Sequence, residues 1–596
     1  NAASNIVQLS PWEQLRKTVF TLVDRPPTAD EVNFVLGAAN DEAARQNITS
    51  LAMELMKQPA FYLRLKEIFN EEWLTDAFKP KAKGLRLNLS DFDNQKYFGV
   101  TELMQQGYAT ADSNRLQQNA SDGVSQAALE LVTYVVKNDL PFSEILTADY
   151  QMVNPYSATL FSATIPSKPG FEYNYGENID AHDPARFVPA RLINNKGKAL
   201  PHAGILTTQV FLGRYPSSPT NRNRGRAKQI LDFFLDTNAE NLASRANLDL
   251  HNLIGQFPTL QDPQCKVCHD VVDPIAGLFK NWNVKGRFLG NNLNWFDRHS
   301  PPEMLAPGLN NALLLPEANS VNALQWLAQN IVADERFITS ITKLMFSGFI
   351  GSSLTNDPLM LQQLKTKFVS SGLNLRALIL EVLTSDYFTT KNTSSVAVTD
   401  GNYLGTANLL SPARLGRKIQ ALFPGYSWVS PGKNTLNELD TYRLLYGGID
   451  SVNIVKRTTE PTAFINGIQL RLANQISCEY VPQDFNRIAG NRVLFPIVDI
   501  SETGQTLAGE INVRSNIQYL FEYLLGEQLN LSSADVNDAL ALFKTVVSLA
   551  DINGISLDCQ GALAADSAIV KDSNGTVRAW MAVVNFMLRD YQFYYE

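Results

Sequence analysis

Apolar residues recur at three- and four-residue spacing through most of the chain, a period that predicts helices. It is plainest between residues 10 and 79. Ser10-Pro11-Trp12-Glu13 offers an N-cap, a proline at the first helical position and an acid in the first turn, and Leu15, Val19 and Leu22 follow on one face. Pro26-Pro27-Thr28 opens a second start with Phe34, Val35 and Leu36 behind it. The stretch from Leu51 to Phe61 continues the helical period with Leu51, Leu55, Met56 and Phe61, and Met53 and Met56 read as core filler. From Pro80 to Ser125 the text turns polar, with Asn88, Ser90, Asp91 and Asp93 close together, which predicts a long surface excursion. Helical period returns at Ala127, Leu129, Leu131, Val132, Val135 and Val136, and again after Pro141-Phe142. Residues 150–200, with Pro155, Pro166, Pro184 and Pro189 among Asn and Gly, read as loop wrapped on a core.

Phe337 to Phe388 is again helical in pattern, and residues 392–399 have the composition of a linker. Ser411-Pro412-Ala413 then begins a unit in which Leu439 to Leu445, Ile517 to Leu524, Ala539 to Leu549 and Trp580 to Leu588 read as helices. Gly447-Gly448 and Asn574-Gly575 mark turns. The expectation is a mostly α, multi-domain helical protein with long irregular loops. Its regions run 1–125 (helical), 126–200 (helices and loop), 201–310 (around the motif described below), 311–391 (helical) and 392–596 (C-terminal helical domain).

Composition bounds this reading. A chain of 596 residues exceeds one ordinary core, and 45% hydrophobic with 18% charged residues is globular. The net charge of -8 advertises no basic face, so nucleic acid is not an expected partner. No run approaches the roughly 18 apolar residues of a membrane span. The sequence begins Asn1-Ala2-Ala3-Ser4 without Met, which suits a removed signal peptide. Cys478 and Cys559 read equally as one disulfide or as two buried free thiols.

The chemistry is concentrated in Cys265-Lys266-Val267-Cys268-His269, followed by Asp270 and by Asp273-Pro274. Cys-x-x-Cys-His is the pattern of covalent c-type haem attachment. On a helical turn residues three and four apart share a face, so both thiols reach the porphyrin while the imidazole points at iron. With four Cys and five His in the chain, chance would produce the pattern on the order of once in several thousand such sequences. A zinc site wants four ligands, and there is no second closely spaced Cys pair. A thioredoxin-like pair wants a preceding strand in a βαβ unit, and Gln261-Asp262-Pro263 and Val271-Val272 show none. The expected cofactor is therefore a single covalent haem c on Cys265 and Cys268, with His269 as proximal iron ligand. Thiol attachment of haem takes place outside the cytoplasm, so a periplasmic or extracellular location is expected.

A wider set of signposts accompanies the motif. Tyr134-Val135-Val136-Lys137-Asn138-Asp139-Leu140-Pro141-Phe142, Leu146-Thr147-Ala148-Asp149-Tyr150, Gly204-Ile205-Leu206-Thr207, Ser218-Pro219, Arg224-Gly225, Asp273-Pro274, Gly277, Gly286-Arg287 and Ser385-Asp386-Tyr387-Phe388 follow one another in order. In this the chain resembles, over roughly residues 10 to 390, the secreted monohaem cytochromes first catalogued in planctomycetes. The resemblance implies a mostly helical, exported, single-haem protein. It brings no established reaction, and the acid that the family places after the post-haem glycine is Lys280 here.

The sixth iron position separates an electron carrier from a haem catalyst. Its candidates are Met304 and His299 in the proline-rich stretch after the motif, and His202 and His251 before it. Arg287 and Arg224 are the expected propionate partners, since a fixed guanidinium suits a carboxylate bidentately. Phe279 and Trp282 either wall the haem or pack the core. The leading function is one-electron transfer to a redox partner protein, with the helical body docking it. A haem enzyme of peroxidase or oxygenase type with an open sixth position is the alternative. A third reading makes the body a surface module that assembles into a larger complex.

Overall fold

The structure, a computed structural model, describes residues 6–78, 104–105, 107, 109–161, 183–192, 199–218, 220–242, 258–283, 286–290, 304–310, 312–354, 357–393, 407–426, 428–430, 433–434, 441–549 and 554–596. Helices dominate, and strands occur only as three short antiparallel pairs among these residues. One pair joins Ile6–Gln8 to Thr390–Thr393, another Gln151–Val153 to Val188–Ala190. None of the described helices is long and apolar enough to cross a membrane.

Local sequence explains the helix starts. Ser10 and Thr28 each build a full capping box: Ser10 Oγ accepts from the Glu13 N–H at 3.3 Å while Glu13 Oε2 accepts from the Ser10 N–H at 2.8 Å, and Thr28 and Glu31 repeat the exchange. Such a cap stabilises a helix by about 1 kcal/mol. Ser411 caps Pro412–Leu422 through the Arg414 N–H, but with arginine at the third position there is no return bond.

Three expectations need correction. The period from Leu51 to Phe61 is broken: one helix, Asp41–Leu55, ends, and Pro59 starts another, Pro59–Trp73. Proline lacks the N–H that a continuing helix needs and fits the first turn, where no partner is required. The supposed excursion up to Ser125 contains the helix Thr110–Ser125, which buries Leu116, Ala120 and Val124. Three small or apolar residues four apart suffice for a narrow buried stripe, although the remainder of the helix is polar. The stretch 79–103 lies outside the described residues. Within 150–200, Pro155–Phe161 is a short helix, and Asn154 and Ser157 hold its start by exchanging hydrogen bonds.

Apolar side chains gather in two large clusters, one drawn from Trp12 to Phe388 and one from Leu409 to Tyr594. Met56 is fully buried in the first and Met53 packs against it, as core filler should. Across the boundary, the Trp12 indole donates to the Gly526 carbonyl at 2.8 Å and Arg16 to the Leu524 carbonyl at 2.9 Å. Arg414 and Arg417 both reach the buried Asp24.

Cys478 and Cys559 form a disulfide that ties the helix Ala463–Phe485 to the short helix Leu557–Gln560, 81 residues on. Closing a loop of that length restricts the unfolded chain, and replacing both by Ala is expected to cost about 2–4 kcal/mol. Urea unfolding with and without reductant checks this: reductant should shift the unaltered chain's midpoint and leave the double variant's unmoved.

Candidate haem-attachment site

The motif occupies the first half of the helix Pro263–Leu278. Asp262 starts it, its Oδ1 accepting from the N–H groups of Gln264 at 2.8 Å and Cys265 at 3.2 Å, with Pro263 at the first position. The second half, Val272–Leu278, is buried, whereas Cys265, Cys268 and His269 are half-buried at the surface end. Both thiols are free. Burial, then the neighbouring Asp262 and Cys268, pushes the Cys265 thiol above its ordinary value. A redox-active pair needs the opposite shift, and the residues just before the cap, Pro258–Gln261, are helical where a thioredoxin-like unit would have a strand.

One turn beyond the motif, Asp273 faces back to His269. Its Oδ1 lies 3.0 Å from His269 Nδ1, and its side chain is 0% exposed. From the helix Arg224–Phe234, Arg224 grips the same carboxylate with both arms of its guanidinium, Nε to Oδ1 at 2.7 Å and Nη2 to Oδ2 at 3.0 Å. Burial alone would raise the Asp273 pKa, but the hydrogen bonds from Arg224 and His269 outweigh it and hold the carboxyl below its usual range. An ionised carboxylate only accepts, so in the neutral imidazole Nδ1 carries the proton and Nε2 keeps its lone pair. That is the tautomer an iron ligand needs, fixed by the partner that metal-binding histidines ordinarily have.

The buried half of the helix is closed by the loop from Met304 to Leu314. The Gly308 N–H donates to the Pro274 carbonyl at 3.0 Å. Gly277 admits Pro307 so closely that a Cβ there would come within 2.9 Å of the proline ring. Two residues after Arg224, fully buried Arg226 donates to the carbonyls of Leu212, Tyr215, Trp282 and Asn283, anchoring the segment that follows the motif helix.

The other candidate residues fare differently. Arg224, expected beside a propionate, is spent on Asp273. Arg287 donates its backbone N–H to Asn283 Oδ1 at 2.9 Å, and its carbonyl accepts from the Asn283 N–H at 3.0 Å. Met304 is 8% exposed within the main apolar cluster, at the start of the closing loop. His202 is buried, its Nε2 accepts from the Leu192 N–H at 3.1 Å, and burial drives its pKa down to about 3. With Nε2 accepting, Nδ1 must hold the proton of the neutral ring, so His202 keeps no lone pair for iron. His251 and His299 lie outside the described residues. Phe279 and Trp282 are core, stacked on Phe211 and packed against Phe288. The sequence signal for the Asp273 role is its four-residue spacing from His269, which on a helix makes neighbours.

The donor set fits a haem. Two thiols three residues apart and one imidazole presenting Nε2 are what covalent attachment and a single axial bond require, the remaining in-plane ligands being the porphyrin's own. Among the described residues no three His, Cys, Asp or Glu side chains gather as a metal site. No family model, curated protein or solved structure matches the chain.

Proposed function

We propose that this is an exported c-type cytochrome in which Cys265 and Cys268 tether one haem, His269 supplies its proximal ligand, and the protein passes single electrons to a redox partner. The observation that carries the reading is the buried Arg224–Asp273 pair fixing His269 in the ligand tautomer. A bare redox dithiol has no use for an oriented histidine one turn along, and a chance pattern would not come with its orienting carboxylate. The Cys478–Cys559 disulfide supports an oxidising compartment, periplasmic or extracellular. The resemblance to secreted monohaem cytochromes points the same way. When bound, the haem supplies one-electron redox chemistry at iron. Cys265, Cys268 and His269 would hold it at the surface end of the motif helix, where a partner could dock.

One observation favours a second reading, a haem enzyme with an open sixth position: His202 has no free lone pair, and Met304 is packed in the core. Optical spectra separate the two. Electron transfer predicts a low-spin spectrum unchanged by carbon monoxide, cyanide or peroxide. A high-spin spectrum that shifts on adding them gives the enzyme reading the lead.

A further inference from the structure

We propose that Asp273 and Arg224 are positioning residues that set the reduction potential at His269 in opposite directions; the inference rests on the haem attachment proposed above. The geometry is a chain of three groups. His269 Nδ1 meets Asp273 Oδ1 at 3.0 Å, and Arg224 covers both oxygens of that carboxylate at 2.7 and 3.0 Å. Asp273 is wholly shielded from water and Arg224 largely so, so their charges act on the imidazole with little solvent screening.

The direction of each effect follows from charge. A carboxylate that accepts from Nδ1–H draws the proton towards itself and makes Nε2 the stronger donor. A stronger axial donor stabilises the ferric state and lowers the potential. Arg224 works against this by drawing the negative charge of Asp273 away from the imidazole. Asp273 therefore pulls the potential down, and Arg224 limits how far. A pair present only to hold the helix would carry no such opposition, since loosening either end would disturb the imidazole in the same way.

The test uses the full chain made in a host that attaches haem c, with covalent haem confirmed by mass before each potentiometric titration. Asp273→Asn, which keeps the shape and removes the charge, is expected to raise the midpoint. Arg224→Gln, which leaves the carboxylate facing the imidazole alone, is expected to lower it. Each shift should change the ferric-to-ferrous ratio at fixed potential by about tenfold, or about 59 mV for one electron. Arg224→Lys, which keeps the charge, should return most of the way. Midpoints that move in the same direction, or stay within about 10 mV of the unaltered protein, overturn this inference while leaving haem attachment standing. An unaltered chain that takes up no haem overturns both.

If Asp273→Asn does not fold, the unaltered chain still decides. In haem-free protein labelled with nitrogen-15 in its five histidines, the His269 signal should show the proton on Nδ1. In the neutral ring, a proton on Nε2 in place of Nδ1 overturns the inference.

Discussion

Serine at both 265 and 268 is expected to leave a folded chain whose mass is that of the bare polypeptide. The unaltered chain, passed through the same haem-attaching host, should carry one haem and keep its colour through acid extraction. The effect is all-or-none because a thioether needs sulfur, and a hydroxyl at the same position does not replace it. Folding should survive. Both thiols are half-buried at the surface end of the helix and, among the described residues, belong to neither apolar cluster and make one side-chain hydrogen-bond contact, a weak 3.6 Å approach of Cys268 Sγ to the Ala239 carbonyl. The melting curve of the haem-free double variant should therefore match that of the haem-free parent, within about 1 kcal/mol of stability. His269→Ala gives the complementary result: the tethers remain, so mass still reports a haem, while the axial bond is lost and the spectrum changes. Recovery of bound zinc, or of a parent chain with unmodified thiols after that host, would remove the basis for reading residues 265–269 as a haem site.

What could be read in advance divides by the range of the interaction. Ser10, Thr28 and Pro412 announce helix starts because a cap is settled within three residues, and the structure places helices behind all three. The mostly helical fold was likewise legible, since amphipathic period is local. Thr110–Ser125 is hard to read in advance because its buried face has only Leu116, Ala120 and Val124 as apolar side chains, beside Ser113, Gly123 and Ser125. Pro59 was passed over because apolar period alone does not register a missing N–H. Spacing nominates Cys265, Cys268 and His269 as the proposed site, and the structure places all three on the helix Pro263–Leu278. The work of Asp273 could not be assigned, because its meaning depends on Arg224, 49 residues earlier, being brought onto the same carboxylate by the packing of two helices. For the same reason the Arg224–Asp273 pairing is not legible in the sequence: a guanidinium advertises affinity for carboxylates without saying which one. The pairing of Cys478 with Cys559 is a third case, since 81 intervening residues carry no record of a separation.

Asp24→Ala is expected to cost about 3–5 kcal/mol, the range for removing one partner of a buried ion pair and stranding the other. Asp24 ends the helix Pro11–Val23 in a left-handed conformation, φ 53°, and its side chain is 2% exposed. Oδ1 accepts from Arg414 Nε at 2.7 Å and Oδ2 from Arg417 Nη2 at 2.6 Å, while Arg417 also reaches Glu67. One carboxylate thus fastens the helix Pro412–Leu422 of the second cluster to the first. Alanine removes the acceptor for two guanidiniums and adds the cost of a left-handed backbone that it tolerates poorly. Asn, which accepts hydrogen bonds and visits that conformation more readily, should cost less. Burial alone would raise the Asp24 pKa; Arg414, then Arg417 and Arg64, outweigh it and hold it below the ordinary 3.8. A depressed folded value means that this stabilisation is complete above the unfolded pKa and is lost as pH falls through the folded one. Urea unfolding should therefore separate parent from Asp24→Ala widely at neutral pH and progressively less on acidification below about 4. A difference under about 1 kcal/mol at neutral pH would mean that Asp24 does little to fasten the two clusters, leaving that work to their remaining contacts.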